Sequence, residues 1–230
     1  MSVSRKFAKW FSNYDNPKSP AARLRAKRIA PLLNMIESIY KNKGSVSIID
    51  LGGTEKYWRI VSSEYLSSHH VNITIVNLPG SGLPENHGPF SFVEADACNL
   101  TQFADHSFDI AHSNSVVEHV GDWDRMVKFA KEVRRVAKSY FVQTPNYWFF
   151  IEPHCMTPFF HWLPKPIRVW LVLHFQLGHW RKADSIVDAV YIVESARLLD
   201  KKMFQALFPD ATILTERYFL SPKSLVAIKH

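Results

Sequence analysis

Two short stretches hold the residues best suited to handle a proton. Glu118 and His119 stand together in SNSVVEHV, and His154 stands in IEPHCMTPFF behind Glu152 and Pro153. An imidazole titrates near neutrality, so His119 and His154 are each candidate general bases. Each also has a plain structural role open to it. His119 can pack against and cap the helix that follows, and a proline-bounded loop such as that of His154 is often rigid for backbone reasons alone. Glu152 is placed to orient the His154 ring. Glu118, His119 and His154 also offer metal-ligand atoms, but no pair of them has a recognised ligand spacing, so no metal is expected. Cys98 and Cys155 lie far apart with no CxxC or CxxH spacing. That pattern argues against a disulfide framework and against a thiolate metal site, and it suits a reducing compartment.

A third stretch looks made for binding. In VSIIDLGGTEKYW, Val46 to Trp58, apolar β-formers run into Asp50, and Gly52 and Gly53 then turn toward a segment able to be helical. This predicts a buried parallel strand that delivers a bare backbone turn to a ligand. Further strands are expected at Val71 to Leu78, Ser91 to Asp96, Phe108 to Ser113 and Ser139 to Thr144, with a final pair at Thr212 to Tyr218 and Ser224 to Lys229. Helices are expected at Glu55 to Leu66, after a capping Asp122, and from Val193 to Leu207. Before the first strand, a basic helix starts at Ser19-Pro20. Pro31 should break or kink it ahead of a second, more apolar helix that ends near Lys43-Gly44.

Charge and composition place two appendages on this α/β core. Residues 1–30 carry eight Lys and Arg against the single acid Asp15, while the whole chain has a net charge of +7. A basic helical head, residues 1–43, therefore leads a neutral body, and it would suit anionic lipid, a phosphorylated substrate or nucleic acid; a solvated helix face reads equally well. Residues 145–182 are rich in proline, histidine and aromatic side chains, and read as an insert over the carboxyl edge of the sheet. Neither a secretory leader nor a membrane-spanning run is expected, which favours the cytoplasm.

The order of strand, glycine turn, strand ending at Asn77, strand ending in EAD, and strand ending in SNSVVEHV resembles class I S-adenosylmethionine-dependent methyltransferases. The resemblance covers about residues 44–145. It implies a Rossmann-like, mostly parallel seven-stranded sheet in the order 3-2-1-4-5-7-6, within a domain spanning 44–230. It further implies S-adenosylmethionine across the carboxyl ends of the first strands. Asp50, Gly52 and Gly53 would face the methionine half, Asn77 the ribose, Asp96 and Ala97 the adenine, and Ser113 and Asn114 the amino-acid end. The chain departs from the family pattern in having two adjacent glycines rather than GxGxG, and an amide at position 77 rather than an acid. The GxGxxG of dinucleotide enzymes is absent.

Methyl transfer needs an aligned acceptor and, for a hydroxyl, a proton sink. The expected acceptor is a hydroxyl on a sugar, glycolipid or related metabolite, from a resemblance to bacterial glycan and cell-envelope methyltransferases. A quinone or lipid-like acceptor and a noncatalytic scaffold subunit are the alternatives. An anionic membrane surface, met from the inner face through the basic head and the aromatic insert, is a further expected partner. Nucleic acid is not expected, since no NPPY-type motif follows the fourth strand.

Overall fold

The computed structural model describes residues 20–230, with side chains from residue 28 onward; of the eight Lys and Arg side chains in residues 1–30 only Arg28 falls within the described residues. Helix α1, Pro20–Lys43, contains Pro31 and runs on through it as one helix, where a break into two was among the expectations. Ile29, Leu32, Met35 and Ile36 fall at three- and four-residue spacings and are all buried. This apolar stripe on both sides of the proline offsets the one lost backbone bond. Gly44 then closes the helix at φ +76°, its N–H donating to the Tyr40 carbonyl at 2.7 Å.

Strand β1, Val46–Leu51, enters the middle of the molecule. Its side chains alternate between two cores. Ile49 and Leu51 join one core, while Val46 and Ile48 join the other. Burial on both faces explains why this strand reads as an unbroken apolar run. The expected helix from Glu55 to Leu66 is instead two short ones, α2 (Glu55–Trp58) and α3 (Ser63–Ser68). Ser62 separates them by capping α3 through a bond from the Tyr65 amide.

Strands β2 (Val71–Asn77), β3 (Phe90–Glu94), β4 (Phe108–Asn114) and β5 (Ala137–Pro145) extend the sheet in parallel. Helix α4, Trp123–Val136, is capped by Asp122 as expected, and it buries Met126, Phe129, Ala130, Val133 and Val136 while Trp123 stays partly exposed. After β5 come a small hairpin, β6 (Ile151–Glu152) with β7 (Thr157–Pro158), and then helices α5 (Lys165–His174) and α6 (Ile186–Glu194). The helix expected from Val193 to Leu207 ends and restarts, because Asp200 caps a separate α7, Lys201–Leu207. Strands β8 (Thr212–Tyr218) and β9 (Ser221–Lys229) form the closing antiparallel hairpin.

The sheet order is β3-β2-β1-β4-β5-β9-β8. With the two-residue strands of the insert left aside, this is the expected 3-2-1-4-5-7-6, and β9 is antiparallel to its neighbours. Cys155, Phe160, Val172, Ala189 and Val193 build a separate small core in the insert, which draws in α6 beyond Lys182. The insert leaves from the carboxyl end of β5 and returns beside it, through a bridge between Asn146 and Leu199. Both described cysteines are buried and free. No described helix is long and apolar enough to cross a membrane.

Candidate active site

The register of the parallel strands sets Asp50 of β1 beside His112 of β4. Both side chains are buried, and His112 Nδ1 lies 2.6 Å from Asp50 Oδ1. Trp58 Nε1 donates to the other oxygen, Oδ2, at 2.8 Å. The Asp50 carboxylate is therefore held by the protein itself. Gly53 packs directly on it: an added Cβ would sit 1.8 Å from Asp50 Oδ2. Gly52 has φ +70°, and a Cβ there would come within 2.6 Å of Val116. Both glycines are needed, one by a buried acid and the other by its backbone angle and a close side chain.

Two cavities meet at Gly52. The first, about 300 Å³, is lined by Asp50, Gly52, Gly53, His112 and Asn114 among others. The second, about 350 Å³, is lined by Gly52, Asn77, Asp96, Ala97, Ser115, His119 and Arg125 among others. Together they lie along the carboxyl ends of β1, β2 and β4, where ligands bind in open α/β sheets, and each has the volume of a small-ligand site (about 300–1,000 Å³). A further cavity of about 680 Å³ lies toward the amino ends of β2 and β3, lined by His70, Val71, Pro89 and Phe90 among others. None of the expected cofactor residues borders it.

Of the residues expected at the cofactor, Asp50, Gly52, Gly53, Asn77, Asp96, Ala97 and Asn114 border this cleft. Ser113 does not appear in either lining; it is buried and donates from Oγ to the Leu51 carbonyl at 3.0 Å. The neighbouring Ser115, in the left-handed region at φ +57°, borders the cleft instead. Asn77 Nδ2 donates to the Gly53 carbonyl at 3.0 Å, which ties the end of β2 to the glycine turn. Asp96 accepts from Arg125 Nη2 at 2.8 Å and from the Cys98 amide at 2.9 Å. Burial alone would raise this carboxyl, but the Arg125 and Cys98 bonds outweigh it and hold Asp96 below the usual carboxylate range. Arg125 and His112 escaped the sequence reading. The position of His112 opposite Asp50 was the available signal, and only a strand register exposes it.

The cleft fits S-adenosylmethionine on one observation: two buried polar atoms on the cavity wall, His112 Nε2 and Asn114 Oδ1, have no protein partner. The ammonium of an amino acid, a donor, is suited to such an acceptor as Asn114 Oδ1.

Beside the cleft, the turn after β4 carries Glu118 and His119 in a single 3-10 turn, Val117–His119. The insert brings His154 against them, with His154 Nε2 3.1 Å from His119 Nε2. His119 Nδ1 donates to the Ser195 carbonyl at 2.7 Å. His154 Nδ1 meets Glu152 Oε1 at 2.7 Å, and Glu152 Oε2 accepts from the His154 and Cys155 amides at 2.8 and 2.9 Å. Burial depresses the His154 ring, but its bond and charge contact with Glu152 prevail and raise it above its ordinary value. For Glu152 burial acts upward, and the bonds from His154 and Cys155 hold it below the usual range. Glu118 is fully buried and pushed up by that burial. Thr144 donates to its Oε2 at 3.0 Å, while Oε1 has no partner. The expected orientation of His154 by Glu152 is thus present in the geometry. What the sequence did not show is that the two histidines, 35 residues apart, touch.

Residues 61–140 match a family model described as a methyltransferase domain. That segment holds β2 to β4 and α4, and it excludes the glycine turn and the insert. None of the curated proteins matches the sequence. Among solved structures, the DszA carbon methyltransferase superposes with a TM-score of 0.58 at 12% identity, over 96% of this chain and 60% of that one. An S-adenosylmethionine-dependent methyltransferase from Archaeoglobus fulgidus gives 0.55 at 13% identity, over 99% and 100%. A protein from Rhodobacter sphaeroides described as a putative Zn-dependent alcohol dehydrogenase gives 0.53 at 10% identity, over 99% and 98%. Likeness at these identities is one of fold alone. The chain spans less than two thirds of some of these structures, 60% for the DszA enzyme and 57% for an O-methyltransferase family protein from Burkholderia thailandensis. Residues 61–140 are thus similar to a methyltransferase domain, and the seven-stranded sheet gives the chain a fold shared with solved S-adenosylmethionine-dependent methyltransferases.

Proposed function

We propose that the chain transfers a methyl group from S-adenosylmethionine to a hydroxyl on a sugar, glycolipid or related metabolite. The observation that carries this reading is His119, which borders the cofactor cleft and also belongs to the Glu118, His119 and His154 cluster. S-adenosylmethionine, when bound, supplies a sulfonium-activated methyl group. Gly52, Gly53, His112 and Asn114 would hold its amino-acid end, and Asn77 with Asp96 its adenosine. The chain's own task is then to align the acceptor and to take its proton away at the histidine cluster.

A cavity of about 620 Å³ in the insert suits the acceptor. Tyr147, Trp162 and Trp180 line it with Lys165, Arg168 and Arg197, and Glu152, which orients His154, borders it as well. Aromatic faces stack on sugar rings and guanidinium groups hold anionic substituents, so this lining supports an acidic or phosphorylated sugar. Arg168 Nε and His161 Nδ1 are buried there without a protein partner. A lipid-like acceptor is the second reading, favoured by the exposed Trp148, Phe159, Trp162, Trp170 and Phe175 of the insert, which would rest on the inner face of an anionic membrane. Failure to bind anionic liposomes would remove the membrane contact.

The test is turnover against a panel of phosphorylated sugars, glycolipids and quinols. His119→Ala and His154→Ala should each lower kcat by about 10²–10⁴-fold while S-adenosylhomocysteine still binds. Full activity in both variants would take the histidines out of the reaction.

A further inference from the structure

The contact between His119 and His154 is chemically unusual. A carbonyl oxygen only accepts, so the bond from His119 Nδ1 to the Ser195 carbonyl fixes the proton of that ring on Nδ1. Glu152 spends Oε2 on two backbone N–H groups and turns Oε1 to His154 Nδ1, which likewise places that ring's proton on Nδ1. In each neutral ring Nε2 is then the lone pair, and these two lone pairs face one another at 3.1 Å. Two acceptors so placed repel unless a proton or a metal cation lies between or beside them. A third acceptor completes the set, since Glu118 is 1% exposed and its Oε1 is buried with no partner. One ligand atom from each of Glu118, His119 and His154 lies within 4.8 Å of the others.

We infer that Glu118, His119 and His154 hold a divalent transition cation of the zinc class, as two imidazole nitrogens and one carboxylate oxygen with a further position open. The spacing agrees with this assignment. Nitrogens about 2.0–2.1 Å from a shared ion in a tetrahedral arrangement stand roughly 3.3 Å apart, close to the separation seen here. Each ligand is also anchored through its far side: Thr144 donates to Glu118 Oε2, the Ser195 carbonyl accepts from His119, and the Glu152 carboxylate accepts from His154. Metal-binding histidines characteristically present Nε2 while Nδ1 bonds to a carboxylate or a carbonyl, and both versions occur here. The absence of a recognised ligand spacing in the sequence follows from the fold, because two ligands come from the turn after β4 and the third from the insert. With the ion present both rings are ligands rather than bases, and the cluster would act on the acceptor's proton through the ion. Its bearing on methyl transfer, lowering the proton affinity of an acceptor hydroxyl, rests on the proposed function, whereas the metal site itself does not.

The experiment is calorimetric titration of the chelator-treated full chain with Zn²⁺ and with Co²⁺, followed by metal analysis after desalting and the visible spectrum of the Co²⁺ form. Uptake of about one ion per chain, with ligand-field bands from four- or five-coordinate Co²⁺, is expected. His119→Ala changes an exposed side chain and should abolish uptake while the circular dichroism spectrum stays that of the parent. Glu152→Gln should weaken binding about 10–100-fold through the His154 ring. Absence of uptake by the parent chain, or uptake unchanged in His119→Ala and in Glu118→Gln, would overturn the site and leave a shared proton between the rings. S-adenosylhomocysteine binding is measured separately. Metal uptake without it would sink the methyltransferase reading alone, and nucleoside binding without metal would sink this one alone.

Discussion

Gly53 shows how one residue can be legible for its type and not for its reason. Adjacent glycines after an apolar strand mark a backbone turn, and the turn is there. The structural demand on Gly53 comes from the protein side, because the space of a Cβ is taken by the Asp50 carboxylate that His112 and Trp58 hold. Gly53→Ala should therefore push that buried acid out of its bonds and destabilise the fold by about 2–4 kcal/mol, with cofactor affinity falling in parallel. Urea unfolding read by Trp fluorescence checks this, and a midpoint equal to that of the parent would contradict the packing argument. His112 could not be singled out beforehand, since a histidine in an apolar strand is ordinary until its neighbour across the sheet is known.

At the scale of elements, strands were easier to read than helix ends. The buried strands announce themselves by composition, whereas helix boundaries turned on single capping side chains. Ser62 and Asp200 each start a helix that periodicity had fused to the one before. Pro31 was misleading in the opposite direction, because burial of the stripe along α1 outweighs one missing hydrogen bond. The end of α1 is fixed to the sheet by Asp109 of β4, which accepts from Lys43 Nζ at 2.8 Å and from the Ser47 amide and hydroxyl at 2.8 Å. Burial would raise the Asp109 carboxyl, yet the Lys43 and Ser47 bonds prevail and lower it. A carboxyl depressed in the folded state adds stability above its unfolded pKa of about 3.9, and that stability is lost as pH falls through the lower folded value. Asp109→Asn should cost about 1–3 kcal/mol at pH 7, and the gap to the parent should close as the pH drops into the acid range. Melting temperatures taken from pH 7 down to pH 3 test the claim; a gap that holds constant with pH would refute it.

For the whole molecule, the sheet order was readable because strand-by-strand alternation with helices admits few topologies. How the insert folds back was not. Its position is set by contacts between residues far apart in the chain, such as Ser195 with His119 and His154 with His119, for which a single sequence carries no signal. That return sets His154 of the insert against His119 at the border of the cofactor cleft, and the account of function depends on the cleft. The most direct measurement is calorimetric titration of the full chain and of Asp96→Asn with S-adenosylmethionine and S-adenosylhomocysteine. Binding by the parent, weakened in Asp96→Asn by about tenfold or more, is the predicted result, since the substitution removes a charged acceptor at the adenosine end. No binding of either compound to the folded parent chain would contradict the assignment of the cleft, and would leave the methyltransferase-like fold as a noncatalytic scaffold.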